Sequence, residues 1–344
     1  MIVAAYAIAI VGISILIVLH EAGHFAVARL FGLRVLRFSI GFGPALVSRR
    51  IGETIWQVAA VPLGGYVQIA GMGPREADEP ENSKSFRGRP AWQRALILFA
   101  GPAANWLLAA VFLAVSAWTV GIARHDEHGP AILGELTPDK PAEQAGLHTH
   151  DQIVAISDVA IYDWESMTRM IRANPDAKLV FNIVRDGQPL AIEVTPQLDA
   201  RAGYAIIGVS PWAEVVKYGP VDGTIAGFEQ AAIAAVQQVE MLWGMAVGKR
   251  EGHLSGLPGI VKLLSQGAVR GPRVLFEFLA SLSVTLFLLN LLPVPALDGS
   301  RLVFVAIEVV RRKPINERVE GIVHAVGFAL LLTLMVLVSI RDLL

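Results

Sequence analysis

The chain has 344 residues, 54% of them hydrophobic and 17% charged, with a mean hydropathy of +0.53, too apolar for an ordinary soluble domain. A formal net charge of -1 offers no broad positive field and argues against nucleic acid as a partner. The absence of cysteine excludes disulfides, thiolate catalysis and Cys-based metal sites, so any metal must sit on His, Asp or Glu.

Met1 to Leu19 is apolar almost throughout. It has no Lys or Arg ahead of the apolar run and no small-residue cleavage site, so it reads as a retained spanning helix. Residues 2–28, 95–122, 274–297 and 320–340 are each long and apolar enough to cross about 30 Å of hydrocarbon. Arg29, Arg34, Arg37, Arg49, Arg50, Lys84, Arg87, Arg89 and Arg94 fall between the first and second spans, and Arg301, Arg311, Arg312, Lys313 and Arg318 between the third and fourth. That bias makes those loops cytoplasmic and puts both termini outside.

The first segment, 1–122, also contains Gly41, Gly43, Pro44, Gly64 and Gly65, which punctuate β-prone pieces within 35–70 and predict hairpins packed beside the helices. Residues 127–200 hold short β-type runs at 131–136, 152–156, 178–185 and 190–195 and a helical stretch over 164–173, a small α+β module on the outside. The segment 201–271 is amphipathic and linking. Its Val221 to Val247 stretch mixes Glu229, Gln230, Gln237, Gln238 and Glu240 with apolar residues and predicts a surface helix, not a fifth span. Residues 272–344 carry the last two spans, with Pro293 and Pro295 expected to break the third near Asp298.

His20-Glu21-Ala22-Gly23-His24 fits H-E-x-x-H and falls in a predicted helix. Positions four apart share a helix face, so both imidazoles can reach one Zn²⁺ while Glu21 sits near its bound water. The competing reading is two ordinary polar histidines and a chance match, but ionisable groups are expensive in an apolar span and usually functional there. Zinc needs a third protein ligand and leaves a fourth position for water. Asp298 is the candidate. His24 lies five residues from Arg29 and Asp298 three from Arg301, so at about 1.5 Å per helical residue they share a membrane depth. Alone, an aspartate before Gly299 also reads as an ordinary turn residue. His125, His128, His148, His150 and His253 read as solvated, and His324 as a hydrogen-bonded packing residue. Glu277, Glu308 and Asn105 are membrane-proximal polar groups without an assigned catalytic role.

Several motifs occur in one order: HEAGHF at 20–25, FSIGFGP at 38–44, PLGGYV at 62–67, FAGPAANW at 99–106, LSG at 254–256 and NLLPVPALDG at 290–299. Together they resemble the site-2 protease family, specifically the RseP-type bacterial regulated intramembrane proteases, over nearly the whole chain. The resemblance implies an α-helical polytopic membrane protein of about four transmembrane helices, with a membrane re-entrant β element and one inserted PDZ-like α+β domain. It implies one Zn²⁺ per chain held by His20, His24 and Asp298, with Glu21 as general base. It also implies that Val61 to Ile69, with Gly64, Gly65 and Tyr66, holds substrate as an added strand and that Asn290 lies close to it. The implied partners are single-span membrane proteins, such as an anti-sigma factor or a leftover signal peptide, cut in the bilayer of the bacterial inner membrane near its cytoplasmic side.

The outside module is similar to a PDZ domain at Gly134-Glu135-Leu136 and Pro141-Ala142-Glu143-Gln144-Ala145-Gly146-Leu147. The best-known relatives carry two such modules, whereas the stretch here has room for one. Its turns read His148-Thr149-His150-Asp151 and Ser157-Asp158-Val159, without the usual glycine or Asn-Gly, and a size filter over the active site is the role that remains. Two rivals stay open: a non-catalytic membrane scaffold that holds partners through the module, and a metal transporter, for which the spans offer few further ligands.

Overall fold

The computed structural model describes residues 2–72, 84–124, 126, 129–199, 203–248 and 255–343. Helix α1 (Ile2–Leu30) is followed by strands β1 (Val35–Ile51) and β2 (Thr54–Ile69) and helix α2 (Ala91–Thr119). Next come β3 (Ile122–Arg124), β4 (Ala131–Leu136), α3 (Pro141–Gln144), β5 (Gln152–Ile156), β6 (Val159–Ala160), α4 (Trp164–Ala173), β7 (Leu179–Arg185) and β8 (Gln188–Val194). The short strands β9 (Gln197–Asp199), β10 (Tyr204–Ile206), β11 (Val209–Pro211) and β12 (Glu214–Val216) lead to α5 (Pro220–Ala246), α6 (Leu257–Arg270), α7 (Pro272–Leu291), α8 (Asp298–Arg311) and α9 (Glu317–Leu343). Among the described residues, α1, α2, α7 and α9 are the helices long and apolar enough to cross a membrane. The chain divides into two compact units, one of 1–120, 218–242 and 253–344, the other of 121–217 and 243–252.

In the first unit, α1, α2 and α7 share apolar faces. Ala109, Ala110 and Leu113 of α2 pack with Ala280 and Val284 of α7, and Ala9, Ile13 and Leu16 of α1 pack with Leu264 of α6 and Leu279 of α7. The third span was expected to run to residue 297; α7 stops at Leu291. Pro293 pushes the residue before it out of the helical region, and Leu292 is extended (φ -66, ψ 146).

Helix α5 is not among the helices long and apolar enough to cross a membrane, and it packs one face on α2. A Cβ on Gly223 would overlap the Trp118 ring and one on Gly227 would meet the α2 backbone at Ala114 N, 2.6 Å away, while Ala231 is fully buried in the core shared with α2 and α7. This is the small-xxx-small spacing by which helices approach closely in a membrane. Of the polar residues that suggested a wet face, Gln238 donates to the Ser281 carbonyl (3.1 Å) and accepts from the Thr285 hydroxyl (3.0 Å) on α7, while Glu229, Gln237 and Glu240 are exposed.

Strands β1 and β2 are long, bulged and folded back on each other. Residues 37–40 pair with 65–68 on one side and with 55–58 on the other, and 45–51 pair with 54–59 to close the far hairpin. Gly64 (φ +118) turns the chain against the Phe42 ring, which leaves no room for a Cβ. Residues 65–69 therefore form an edge: among the described residues, no strand pairs with their other side. Val35 and Ile69 of this sheet share a core with Ala28, Leu33, Ile97 and Leu98, which fixes the sheet beside α1 and α2.

The second unit centres on the sheet β11-β4-β5-β7-β8, with β6 paired to β5. Its core holds Leu133, Ile153, Ile156, Phe181 and Ile183 from the strands and Met167 and Ile171 from α4. Asp163 and Ser166 form a capping box that starts α4. Ser157 (φ 46) and Asp158 (φ 67) both take left-handed conformations between the paired Ile156 and Val159, the type I′ geometry of a two-residue hairpin, so the turn forms without Asn-Gly. Asp151 is fully buried, and Arg185 donates to both its oxygens at 2.7 Å.

Candidate metal and catalytic centre

One helical turn of α1 separates His20 from His24, and both rings face the first residue of α8. His20 Nε2 lies 3.1 Å from Asp298 Oδ2, His24 Nε2 3.3 Å from the same oxygen, and the two Nε2 atoms 3.2 Å apart. Tetrahedral donors at about 2.0–2.1 Å from an ion stand about 3.3–3.4 Å from one another. The observed triangle fits that spacing, and two imidazoles with one carboxylate form a donor set that suits zinc.

Protonation supports the same reading. His24 Nδ1 lies 2.7 Å from the Ile97 carbonyl, which can only accept, so Nδ1 carries a hydrogen, and a neutral His24 would present its Nε2 lone pair to the centre. His20 Nδ1 lies 3.1 Å from the Asn105 side-chain amide.

The Asp298 carboxylate is placed by tight packing at the start of α8. A Cβ on Gly299 would overlap the Leu291 and Leu292 carbonyls, so glycine lets α8 begin against the end of α7. Ala296, in a left-handed conformation (φ 79), donates its N–H to His324 Nδ1 at 3.1 Å, and Arg301 donates to the Met72 carbonyl at 3.0 Å. His324 thus braces the loop before Asp298. Glu308 pairs with Arg94 at 2.6 Å.

Glu21 is not one of the three converging donors. Its Oε2 accepts the Val67 N–H at 2.9 Å, which joins the H-E-x-x-H helix to the sheet edge. Gly65 sits on the same edge, where a Cβ would stand 2.7 Å from the Ser39 carbonyl and 3.8 Å from Glu21 Cγ. Tyr66 stacks on Phe42 (6.1 Å between centroids), and its hydroxyl accepts from Arg37 at 3.3 Å. Asn290 sits near the end of α7 and donates to the Leu286 carbonyl one turn back (2.9 Å), so its amide is engaged within its own helix.

Of the remaining histidines, His150 lies against Trp212 (4.0 Å between centroids) in the second unit, and the His148 N–H donates to Asp151. His125, His128 and His253 lie outside the described residues. The sequence reading gave no role to Asn105 or to Gly101, where a Cβ would overlap the His24 ring. An asparagine in an apolar span is itself a signal, since such a group needs a partner there.

The sequence profile of Peptidase family M50 matches residues 8–334. The chain belongs to that family. Proteins with similar sequences include two named zinc metalloprotease RasP. That of Oceanobacillus iheyensis is 30% identical over 420 aligned positions, with 96% of each chain covered. That of Geobacillus kaustophilus is 30% identical over 416, with 97% of this chain and 96% of the relative covered. A stretch equal to 26% of the chain is similar to 92% of the PDZ domain of an SdrC-like protein from Listeria monocytogenes, at 18% identity and a TM-score of 0.22. The M50 protein described here is an intramembrane zinc metalloprotease of the site-2 type, with Zn²⁺ as its cofactor.

Proposed function

We propose that this protease holds its zinc through His20, His24 and Asp298 and uses Glu21 as the general base in hydrolysing peptide bonds of single-span membrane proteins. The observation that carries this reading is the triangle of 3.1, 3.2 and 3.3 Å formed by two histidine nitrogens and one aspartate oxygen, with Glu21 one residue from a ligand yet outside the donor set. A zinc ion held by His20, His24 and Asp298 would supply Lewis acidity for ionising a water near neutral pH and polarising the scissile carbonyl. Glu21 takes the proton of the attacking water and delivers it to the leaving amine, while the Val67 N–H holds the carboxylate in place.

Substrate helices hide their backbone, so a cut requires an extended segment. Residues 65–69 offer an open strand edge whose Val67 N–H already points at Glu21, and an added substrate strand there would lie along Gly64, Gly65 and Tyr66 beside the base. The apolar cores shared by this sheet with α1 and α2 support a position within the membrane, where strand backbone must be buried in protein or line a wet cavity. Asn290, two residues before the break at Leu292, is the proposed side-chain contact to the substrate backbone. It would exchange its bond to Leu286 for one to substrate.

The basic residues between the first two and last two spans support cytoplasmic placement of those loops in a bacterial inner membrane, with both termini and the inserted unit outside. The inserted unit limits which substrates are admitted. An anti-sigma factor or a signal-peptide remnant is a substrate of the right class.

The test is cleavage of a model transmembrane substrate by purified protein in detergent. Glu21→Gln keeps size and hydrogen bonding but cannot accept the proton, so cleavage should fall by about 10² to 10⁴ with zinc content unchanged. Cleavage at the wild-type rate would remove Glu21 from the role.

A further inference from the structure

Helix α2 presents one continuous stripe to the H-E-x-x-H turn of α1. Ile97, Gly101 and Asn105 are spaced four apart, on one helix face. The Ile97 carbonyl accepts from His24 Nδ1 at 2.7 Å, Gly101 leaves the space that the His24 ring fills, and the Asn105 amide meets His20 Nδ1 at 3.1 Å. Each imidazole therefore has its Nε2 at the metal centre and its Nδ1 on α2. Asn105 is 1% exposed, and the Ser283 hydroxyl of α7 donates to its backbone carbonyl at 2.7 Å, so its position is fixed from both sides.

We propose that Asn105 is a positioning residue of the metal centre: its amide oxygen accepts the Nδ1–H of His20 and so commits the Nε2 lone pair of His20 to zinc. This rests on the assignment of His20, His24 and Asp298 as ligands. A neutral imidazole that binds a metal through Nε2 must carry its hydrogen on Nδ1, and that hydrogen needs an acceptor in a buried site. The two ends of an amide are nearly equal in size, so its surroundings decide which end faces which neighbour. In the structure the amide nitrogen Nδ2 is the end that stands 3.1 Å from His20 Nδ1, and Oδ1 is buried without a hydrogen-bond partner; exchanging the two ends disturbs no other hydrogen bond of the amide and turns Oδ1 to the imidazole. His20 is thus the one neighbour that sets the orientation, and its Nδ1–H selects the oxygen. The backbone carbonyl of Ile97 does the same for His24 without a choice of orientation.

The test is zinc affinity of the full-length protein in detergent, measured by competition with a graded series of chelators. Asn105→Leu keeps the shape and removes the acceptor, and should weaken zinc binding about 10- to 100-fold, the usual cost of losing such a partner. Asn105→Ala should fall with it, which guards against a packing fault peculiar to leucine. Asn105→Asp restores an acceptor and should bind zinc within about threefold of wild type or more tightly. If Asn105 only filled space, the order would reverse, because leucine is tolerated in an apolar interior and an unpaired carboxylate is not. Binding by Asn105→Leu and Asn105→Ala at wild-type affinity, or an aspartate variant weaker than the leucine one, would overturn the proposal. His20→Ala, measured alongside, separates the two layers of the argument. If it too kept full affinity, the ligand assignment itself would be the part that fails.

Discussion

The Val67 backbone N–H donates to Glu21 Oε2 at 2.9 Å, so the open edge of the sheet holds the proposed base. Val67→Pro removes this donor and leaves the Glu21 carboxylate in place, and proline is tolerated on a strand edge. A hydrogen bond to a charged group contributes about 1.5–3 kcal/mol, so turnover should fall about 10- to 100-fold with zinc content unchanged. Steady-state cleavage together with metal analysis reads both quantities. Loss of zinc in parallel with activity would show instead that the sheet edge supports the metal ligands.

Gly299 allows the start of α8 to lie on the carbonyls that end α7, and the next residue back is Asp298, the proposed carboxylate ligand. Gly299→Ala places a methyl group where rigid backbone stands, so Asp298 must move by more than a ligand can tolerate. Zinc affinity should fall at least tenfold while the helices still insert, as followed by chelator competition and by extraction of the protein from membranes. An alanine variant with wild-type affinity would mean that α8 can shift without moving Asp298.

In the second unit, burial pushes the Asp151 carboxyl up, and hydrogen bonds from Arg185 and the His148 N–H outweigh that and hold it below the ordinary aspartate range. A carboxyl with a depressed folded value adds stability that is complete above its unfolded value, about 4, and is lost as pH falls through the folded one. Hydrogen exchange of β4 and β5 amides should therefore be flat from neutral pH to about 5 after correction for intrinsic rates, and rise in stronger acid. Asp151→Asn should remove this acid step and cost about 2 kcal/mol at neutral pH. A step that persists in Asp151→Asn would assign it to another group.

The chain has no cysteine, so single cysteines report sidedness without background. A cysteine at Ser157 should react with an impermeant reagent in intact cells, and one at Ser48 should react after lysis. The reverse pattern would invert the proposed orientation.

Much of the centre was legible because chemistry and helical period coincide in a short segment. His20 and His24 announce themselves by spacing alone, and α4 and the strands β4 and β5 have the bounds that their apolar alternation predicts. Asp298 was reached through the positions of arginines near the ends of spans, although it opens α8 and does not sit on the third span. Two things were less visible. The role of α5 depended on close backbone approach at Gly223 and Gly227, while its glutamines argued for solvent; a hydrophobicity pattern cannot see that Gln238 finds Ser281 and Thr285. The part played by Asn105 depended on a contact between residues 85 apart in sequence, which a local pattern does not contain.

The most direct test of the account is the zinc content per chain of purified Asp298→Ala beside the wild type. The wild type should carry one zinc. Asp298→Ala should lose most of it, because the two histidines alone leave the ion short of a third protein ligand, and should stay folded and membrane-inserted. Full zinc in Asp298→Ala would contradict the account, since the triangle of His20, His24 and Asp298 would then not be what holds the metal.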